Sequence, residues 1–544
     1  MKKIIFILGL AAVVLGTSCS DVLDLNPADR FSPATVWSTT TTADKYVIGL
    51  YSIFGANTEM RGGDAYASPR LSDAYSDILK STSWNQYNHN FNATLLQETA
   101  FNSNSAGAFE CWSSHYDRIR RENEFLRDAA EFGRKFGEDW LKIRIAEVRF
   151  CRAYAYFMLC RVYGGVILRT EVDGPEQNDK ARSTEEECWG FIINELKELA
   201  PDLPLKWDSD NSGRATQKAA YGLLSRVALY AEKWDVAAQA ARDCATAEGN
   251  LDLSKNGYAK IFELGINSPE VLFAVEFKSS VIDHAYDAYV RPSGDTKELG
   301  KQVYSGFVPT SELVDSYEMA GDGGNFSWEK HGKDPYANRE PRFYATILYN
   351  GADWMGRKIE SFVGGKDGYK AYENAGAAGT TVTGYYLRKY LIDGDKTWVT
   401  SGSGQDWIVL RYAEVLLNKA EALAMENWNK NSAEALQALN DVRARVGLPA
   451  RATADKETFL EYVRHERKVE LAGEGFRYWD LRRWRLAEKV IDGQNVHGVK
   501  ISKQSDGSFT YEQVDADGGH KRIFYDRYYR FAIPLSERSN NSLC

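Results

Sequence analysis

Apolar residues recur at helical spacing through much of this chain, and small residues lie where neighbouring helices would approach closely. The helical stretches come in pairs, and the second helix of a pair begins a few residues after the first one ends. Three pairs are predicted, at residues 143–163 with 185–199, 215–231 with 234–247, and 408–425 with 433–446. The pattern therefore predicts a mainly α-helical protein.

A fourth helix pair is predicted at residues 459–484, and its apolar face is unusual because it includes acids. Glu466 and Glu470 fall seven residues after Phe459 and Val463, on or beside the same face. A buried carboxylate needs a charged partner, or it takes up a proton. We therefore expect the chain to fold back so that three arginines pair with these glutamates: Arg477, Arg482 and Arg483. A pair of catalytic carboxylates is the alternative, which so many neighbouring arginines disfavour.

Helix-capping signals mark several of the predicted ends. Asp455 is expected to cap the start of the fourth pair, and Gly473 and Gly475 mark its helix end. Ser183 and Glu186 form a predicted capping box ahead of the helix at residues 185–199. Two more helices are predicted nearer the N-terminus, at residues 43–54 and 109–132.

The fourth pair also carries a resemblance to a known family. Its ordered pattern E-R-x-x-E-L…E-G-x-R-x-x-D-L-R-R-W resembles the C-terminal signature of the SusD/RagB family of nutrient-binding outer-membrane lipoproteins of Bacteroidetes. The matching residues are Glu466, Arg467, Glu470, Leu471, Glu474, Gly475, Arg477, Asp480, Leu481, Arg482, Arg483 and Trp484. The resemblance implies a SusD-like α/α fold, in which four degenerate tetratricopeptide-like helix pairs form a right-handed scaffold with large loop-rich inserts.

Two stretches lose helical periodicity and are rich in glycine and aromatic residues, and they set the expected organisation. Residues 1–18 are expected to be a signal peptide, and residues 19–544 a single SusD-like domain. Within that domain we expect a variable ligand-binding insert at 55–108, helix pairs at 143–247, a second variable insert at 250–407, helix pairs at 408–484 and a C-terminal segment at 485–544. The second insert contains one strand-like apolar run, at residues 271–277.

The pattern of residues at the N-terminus predicts an export signal. Lys2 and Lys3 precede an apolar run at residues 4–15, which is too short to span a bilayer as a mature helix. Small residues then lead directly into Cys19, as at a lipoprotein cleavage site. Cys19 is therefore the predicted lipidated first residue of the mature chain, and an ordinary secretory signal cut elsewhere is the alternative.

Composition narrows the possible partners. The 544 residues carry a net charge of −9, which argues against nucleic acid because such a partner needs a basic face. The chain has 14 Trp, 31 Tyr and 24 Phe, an excess that suits stacking on flat, weakly charged ligands. Six cysteines beyond Cys19 show no paired spacing, so most are expected to be small buried hydrophobes, and one disulfide remains possible.

Motifs for catalysis or cofactors are missing from the sequence. None of the seven histidines has zinc-site spacing with a carboxylate, and the chain lacks a P-loop and a G-x-S-x-G nucleophile motif. We therefore expect no catalytic residue, metal or cofactor. A glycosidase stays open as an alternative, because its two acids need not be close in sequence.

Aromatic and amide residues in the two inserts are the candidate ligand-binding groups. Sugar rings present apolar C–H faces that stack on Trp and Tyr, while amide and charged groups bond the hydroxyls. Trp84 is the strongest candidate, because its polar neighbours do not explain it as a core residue. The other candidates are Asn85, Tyr87, Asn88, Arg70, Asp73 and Lys80 in the first insert and Tyr286, Tyr289 and Trp328 in the second. The alternative for each aromatic residue is a surface or core position without a ligand.

The resemblance implies a surface-exposed lipoprotein that captures an oligosaccharide and delivers it to a partner SusC-like TonB-dependent transporter. A RagB-like binder of peptides or other nutrients on the same scaffold is the alternative, since helical-repeat grooves also hold peptides.

Overall fold

The computed structural model describes residues 32–60, 71–82, 104–174, 179–247, 257–371 and 380–544. The predicted mainly helical architecture is confirmed in these ranges. The helices, numbered in chain order, are α1 Pro33–Val36, α2 Thr40–Leu50, α3 Ser52–Ala56, α4 Trp112–Phe132, α5 Glu138–Tyr163, α6 Glu185–Leu199, α7 Gln217–Tyr230, α8 Trp234–Thr246, α9 Gly257–Leu264, α10 Tyr286–Val290, α11 Asp295–Leu299, α12 Ser311–Val314, α13 Trp328–His331, α14 Pro341–Thr346, α15 Trp398–Ser401, α16 Tyr412–Arg445, α17 Lys456–Glu470, α18 Arg477–Arg483, α19 Ala487–Ile491 and α20 Leu535–Asn540.

The long helices stack in sequence order. Each helix from α4 to α7 packs against the next, α8 packs against α16, and α16 packs against α17. The contact between α8 and α16 joins the two helical halves, although the whole second insert separates them in sequence. A stack in which each helix contacts its neighbours is the arrangement of a helical-repeat scaffold.

The strands are short, and most lie in the two inserts and the C-terminal segment. In the described ranges they form two-stranded antiparallel pairs. The strands are β1 Leu79–Ser81, β2 Val271–Val275, β3 Phe307–Pro309, β4 Ile347–Leu348, β5 Asp353–Trp354, β6 Arg357–Lys358, β7 Tyr386–Leu387, β8 Trp407–Arg411, β9 His497–Lys503 and β10 Phe509–Asp515. The pairs are β1 with β3, β2 with β8, β4 with β7, β5 with β6, and β9 with β10.

Two local predictions were wrong in position. The stretch predicted as helix from residue 408 begins as strand β8, because its apolar run is buried throughout and pairs with β2. Helix α16 starts only at Tyr412 and bends at Asn427, between the helices predicted at residues 408–425 and 433–446. The capping box of α6 is Thr184 with Glu187, one residue beyond the predicted pair.

The acids of the fourth helix pair are buried, as predicted, but their expected partners were wrong. Glu466 pairs with Arg342 at 2.6 Å and with Arg443 at 3.0 Å. Glu470 contacts Arg342 at 3.0 Å and Arg411 at 2.6 Å, and it also pairs with Arg445. These arginines come from α14, β8 and α16. The glutamates therefore hold the second insert and α16 against α17.

The three arginines that were expected to pair with those glutamates bind other groups, because arginines of α14, β8 and α16 occupy the carboxylates of Glu466 and Glu470 instead. Arg477 pairs with Asp77 at 2.8 Å, and Arg482 donates to the carbonyl of Tyr529 at 2.8 Å. Arg483 pairs with Glu421 and Asp480. Their role in the fold is thus to hold α18 against the first insert, α16 and the C-terminal segment.

The cysteines and the apolar character of the helices can also be compared with the expectations from the sequence. The six cysteines of the described ranges form no disulfide with one another, and four of them are buried: Cys151, Cys160, Cys188 and Cys244. Across those same ranges, no helix combines the length and the apolar character needed to cross a bilayer.

Candidate functional site

Half of the residues predicted from the sequence to bind ligand lie outside the described residues. They are Arg70, Trp84, Asn85, Tyr87 and Asn88, and the predicted lipidation site Cys19 lies outside them as well. The described candidates are Asp73 and Lys80 of the first insert and Tyr286, Tyr289 and Trp328 of the second.

Asp73 and Lys80 lie inside the fold, with their charged groups bound to the chain itself. The Asp73 carboxylate accepts backbone amides from Gly473 at 2.9 Å, Gly475 at 3.2 Å and Arg477 at 2.9 Å. The Lys80 ammonium pairs with Asp517 at 2.7 Å. Both side chains therefore join the first insert to distant parts of the chain rather than facing solvent.

Tyr286 is also a core residue. Its ring is fully buried, and its hydroxyl donates to the backbone carbonyl of Lys389 at 3.0 Å. Lys389 in turn pairs with Glu474 of the family signature at 2.8 Å. Tyr286 thus connects α10 to the ion-pair network, and its ring has no face open to a ligand.

Tyr289 differs from Tyr286, because its ring is only half-buried and stacks on Tyr304. The two ring centroids are 4.8 Å apart and the ring planes meet at 30°. The backbone fixes this pair, since the Tyr304 amide donates to Ala288 and the Gly306 amide donates to Tyr289. The result is a two-ring aromatic surface beside the start of β3. Tyr304 is not among the candidate ligand residues predicted from the sequence.

The same surface adjoins the end of β1. The Thr82 amide donates to the carbonyl of Gly306 at 2.9 Å, which extends the β1–β3 pairing by one step. Thr82 is the last described residue before the stretch that holds Trp84. Residues from both predicted inserts are therefore joined through Gly306 and the tyrosine pair.

Trp328 lies on a second aromatic surface. Its half-buried indole is 5.4 Å from the ring of Phe326 and 6.0 Å from that of Tyr511, measured between centroids. Its Nε1 donates to Asp315 at 2.9 Å, which fixes the plane of the indole. Burial raises the pKa of Asp315 to about 6, although this hydrogen bond acts to lower it.

Sequence reasoning missed Tyr511, although a signal for it exists. On β10, Phe509 and Tyr511 are half-buried whereas Thr510 and Glu512 are exposed. Alternation of this kind predicts a strand with one covered face. The aromatic residues on that face could have been grouped with Trp328 only once the hairpin's position was known.

A cavity of about 990 Å³ lies between the first insert and the helices. Its walls include Phe54, Tyr75, Phe109 and Trp479, and His115 is among its polar groups. Burial lowers the pKa of His115 to about 3, so the imidazole is neutral at physiological pH. The volume is in the range typical of small-molecule sites.

Side chains suited to metal binding are not grouped in this part of the protein. Within the described ranges, no cluster of three or more His, Cys, Asp or Glu residues could hold a metal ion. The features that these ranges offer a ligand are aromatic faces, one large cavity and neighbouring polar groups.

The sequence of the chain is similar to the sequences of known proteins. Residues 269–543 match the sequence profile of the SusD family, and residues 21–229 match a profile described as starch-binding and associating with the outer membrane. A SusD-like protein of Bacteroides ovatus is 25% identical over 95% of this chain and 90% of its own length.

Solved structures show the same fold. A SusD-like protein from Bacteroides fragilis superposes with a TM-score of 0.81 at 26% identity, covering 94% of this chain and 97% of that one. A SusD-like carbohydrate binding protein from the same species gives a TM-score of 0.76 at 24% identity, covering 94% and 99%. With its signature stretch and its helical scaffold, this chain belongs to the SusD/RagB family.

Proposed function

We propose that this protein captures an oligosaccharide at the cell surface and delivers it to a SusC-like TonB-dependent transporter, without cleaving it. The stacked pair of Tyr289 and Tyr304 is the observation that carries the glycan assignment. Half-buried, backbone-fixed aromatic rings suit the apolar faces of sugars. A relative that is described as carbohydrate binding shares the fold, which supports the same reading.

The proposed site extends from the tyrosine pair into the first insert. Two residues of chain span at most about 7 Å, and Trp84 follows Thr82 by two residues in the sequence. Thr82 is bonded to Gly306, whose amide in turn bonds to Tyr289. The proposed ligand groups are therefore Tyr289 and Tyr304 together with Trp84, Asn85, Tyr87, Asn88 and Arg70. Trp328 and Tyr511 form a second proposed contact surface.

Isothermal titration with a panel of oligosaccharides tests this site. For the glycan that binds, we expect Trp84→Ala and Tyr289→Ala each to weaken affinity at least tenfold without lowering the melting temperature. The control is Tyr221→Ala, a half-buried tyrosine on α7, which should leave affinity unchanged. Unchanged affinity in both site variants would contradict the proposed binding site.

Further binding and activity assays distinguish the competing functions. A glycan array that gives no signal, together with specific capture of peptides, would favour a RagB-like peptide binder. New reducing ends after incubation with the bound polysaccharide would identify an enzyme. Neither outcome is expected, because the described part of the proposed site, the stacked pair of Tyr289 and Tyr304, offers aromatic faces to a ligand.

The location is proposed from the N-terminus and from the family profile that describes outer-membrane association. In cells, the wild-type protein should take up a labelled fatty acid and resist extraction from outer membranes. Cys19→Ser should abolish the labelling and release the protein into the soluble fraction. Co-purification of the wild-type protein with a TonB-dependent transporter from mild detergent extracts would support delivery. Consistent absence of the transporter from the purified material would count against delivery.

A further inference from the structure

A second, smaller cavity lies within the helical scaffold, away from both aromatic surfaces of the insert. It has a volume of about 310 Å³ and is bounded by residues of α5, α6, α7, α8, α16, α17 and α18 and by Arg530 of the C-terminal segment. Four tryptophans and six arginines line it, against two glutamates, Glu232 and Glu421. The lining is therefore both aromatic and strongly basic.

Most of these arginines have a carboxylate partner, but two do not. Arg483 pairs with Glu421, Arg530 with Glu185 and Arg464 with Glu461, while the exposed Arg485 approaches Asp526 at 3.9 Å. The structure shows no carboxylate within ion-pair distance of Arg161 or Arg482 in the described ranges. Two positive charges at the cavity wall are thus left without a counter-charge.

Both guanidinium groups lie close to one indole, that of Trp479. The guanidinium carbon of Arg161 lies 4.0 Å from the Trp479 ring centroid, and that of Arg482 lies 4.7 Å from it. Arg482 is only 3% exposed. Its Nη2 donates to Tyr529, but its Nε and Nη1 are buried and find no acceptor among the described residues.

A buried cation without a counter-charge is unfavourable. Burial lowers the pKa of Arg482 to about 10, and the neighbouring Arg161 and Arg530 act in the same direction. An anion in the cavity would accept hydrogen bonds from Nε and Nη1 of Arg482 and restore the charge balance. The site therefore has an electrostatic reason to be filled by a negative group.

The remaining walls indicate what carries that negative group. The indoles of Trp234 and Trp484 are half-buried, so part of each lies open. Trp484 is fixed because its Nε1 donates to Glu421 at 2.8 Å. Aromatic walls suit a ring with apolar C–H faces, and the volume lies at the small end of ligand sites, too confined for an extended peptide.

We propose that this cavity binds an acidic sugar, whose carboxylate meets Arg482 and Arg161 while its ring lies against the indoles of Trp234 and Trp484. The site shares no residue with the proposed oligosaccharide surface of the insert, and it does not depend on that proposal.

Isothermal titration of the chain lacking residues 1–18, with D-glucuronate, D-glucose and inorganic sulfate, tests the proposal. We expect D-glucuronate to bind at one site, with at least tenfold higher affinity than D-glucose, and its affinity to fall as NaCl is raised. Arg482→Met should weaken D-glucuronate at least tenfold, and Arg161→Met should do so independently if the first variant folds poorly. The control is Arg120→Met, whose side chain is 65% exposed on α4.

Four results would overturn the proposal. D-glucuronate binding that is no tighter than D-glucose binding would remove the acidic character. Equal affinity in the wild type and in folded Arg482→Met and Arg161→Met would place the site elsewhere. Sulfate binding without D-glucuronate binding would leave a plain anion site, and tighter binding of a hexaglutamate peptide would point to a protein partner instead.

Discussion

The carboxylate of Asp73 accepts the amide hydrogen of Gly473 at 2.9 Å, although 400 residues separate the two in sequence. Gly473 and Gly475 both adopt the left-handed backbone conformation, with φ of 76° and 78°. That turn brings the amides of Gly473, Gly475 and Arg477 onto one acid of the first insert. The family signature therefore organises a junction between the last helix pair and the insert, and the proposed glycan contacts lie elsewhere.

Removing the acid at this junction should destabilise the protein. Asp73→Ala leaves three buried amides without their acceptor, and each unsatisfied buried donor costs about 1–3 kcal/mol. We expect the free energy of unfolding to fall by roughly 3 kcal/mol or more, measured by urea denaturation at pH 7. The folded fraction should keep its glycan affinity.

Asp117→Ala is the matched control, because Asp117 is an exposed acid in the second turn of α4. It should change the unfolding free energy by less than about 0.5 kcal/mol. If Asp73→Ala were equally mild and instead abolished glycan binding, the acid would belong to the ligand site after all.

The elements that depend on local periodicity could be predicted from the sequence. The helix at residues 185–199 was predicted with its true bounds, and burial of Glu466 and Glu470 followed from their place on an apolar face. Their partners could not be predicted, since Arg342 lies 128 residues before Glu470. Which arginine reaches which glutamate depends on how distant segments fold back, and helical periodicity carries no information about that.

The candidate site was harder to predict for the same reason. Composition identified the aromatic inserts, but it could not separate Tyr286, which is buried, from Tyr289 three residues later. One turn of α10 carries both rings, and only the packing of β3 and Tyr304 decides which of them is open. Strand β8 was missed because a short apolar run that is buried on both faces has no periodicity of its own.

We expect Glu470 to contribute strongly to the stability of the fold, because three arginines contact it. Burial acts to raise its pKa, but Arg445, Arg411 and Arg342 outweigh that effect and hold the pKa well below its usual range. Glu470→Ala would leave buried cations uncompensated, so we expect a loss of about 3–5 kcal/mol and a lower melting temperature by calorimetry.

The readout that separates this role from catalysis is the behaviour of the folded fraction. Titration of Glu470→Ala below its melting transition should give wild-type glycan affinity. Neither the wild type nor Glu470→Ala should release new reducing ends from the polysaccharide. A normal melting temperature with lost binding would contradict the structural role. Glu461→Ala, an exposed acid on the same helix, serves as the control.

Tyr304 should contribute to ligand binding by supporting Tyr289. Aromatic pairs contribute about 0.5–1.5 kcal/mol beyond the area that they bury, so Tyr304→Ala should weaken glycan binding by roughly two- to tenfold. Tyr304→Phe keeps the ring and should retain most of the affinity. Titration calorimetry with one glycan distinguishes the two, and an equal loss in both variants would mean that the hydroxyl, rather than the stacked ring, makes the contact.

Stability should also fall as the pH rises through neutrality, because of Glu59 beside the same junction. Its carboxyl group accepts the Ser72 amide at 3.0 Å. Burial, and then the charge of Asp73, raise the pKa of Glu59 to about 8, from an ordinary value of 4.5. Between these two values the folded protein holds a proton that the unfolded chain releases. The free energy of unfolding should therefore fall with rising pH in that window, by at most about 1.4 kcal/mol per pH unit.

Glu59→Gln tests this pH dependence, because the amide resembles the protonated acid. Relative to the wild type, its unfolding free energy from urea titrations should rise steadily between pH 5 and pH 8, since only the wild type must ionise a buried acid next to Asp73. Glu461→Gln, at an exposed acid on α17, should run parallel to the wild type. Parallel curves for Glu59→Gln as well would show that Glu59 is already ionised in the folded protein, and the junction at Asp73 would then have to hold two negative charges at neutral pH.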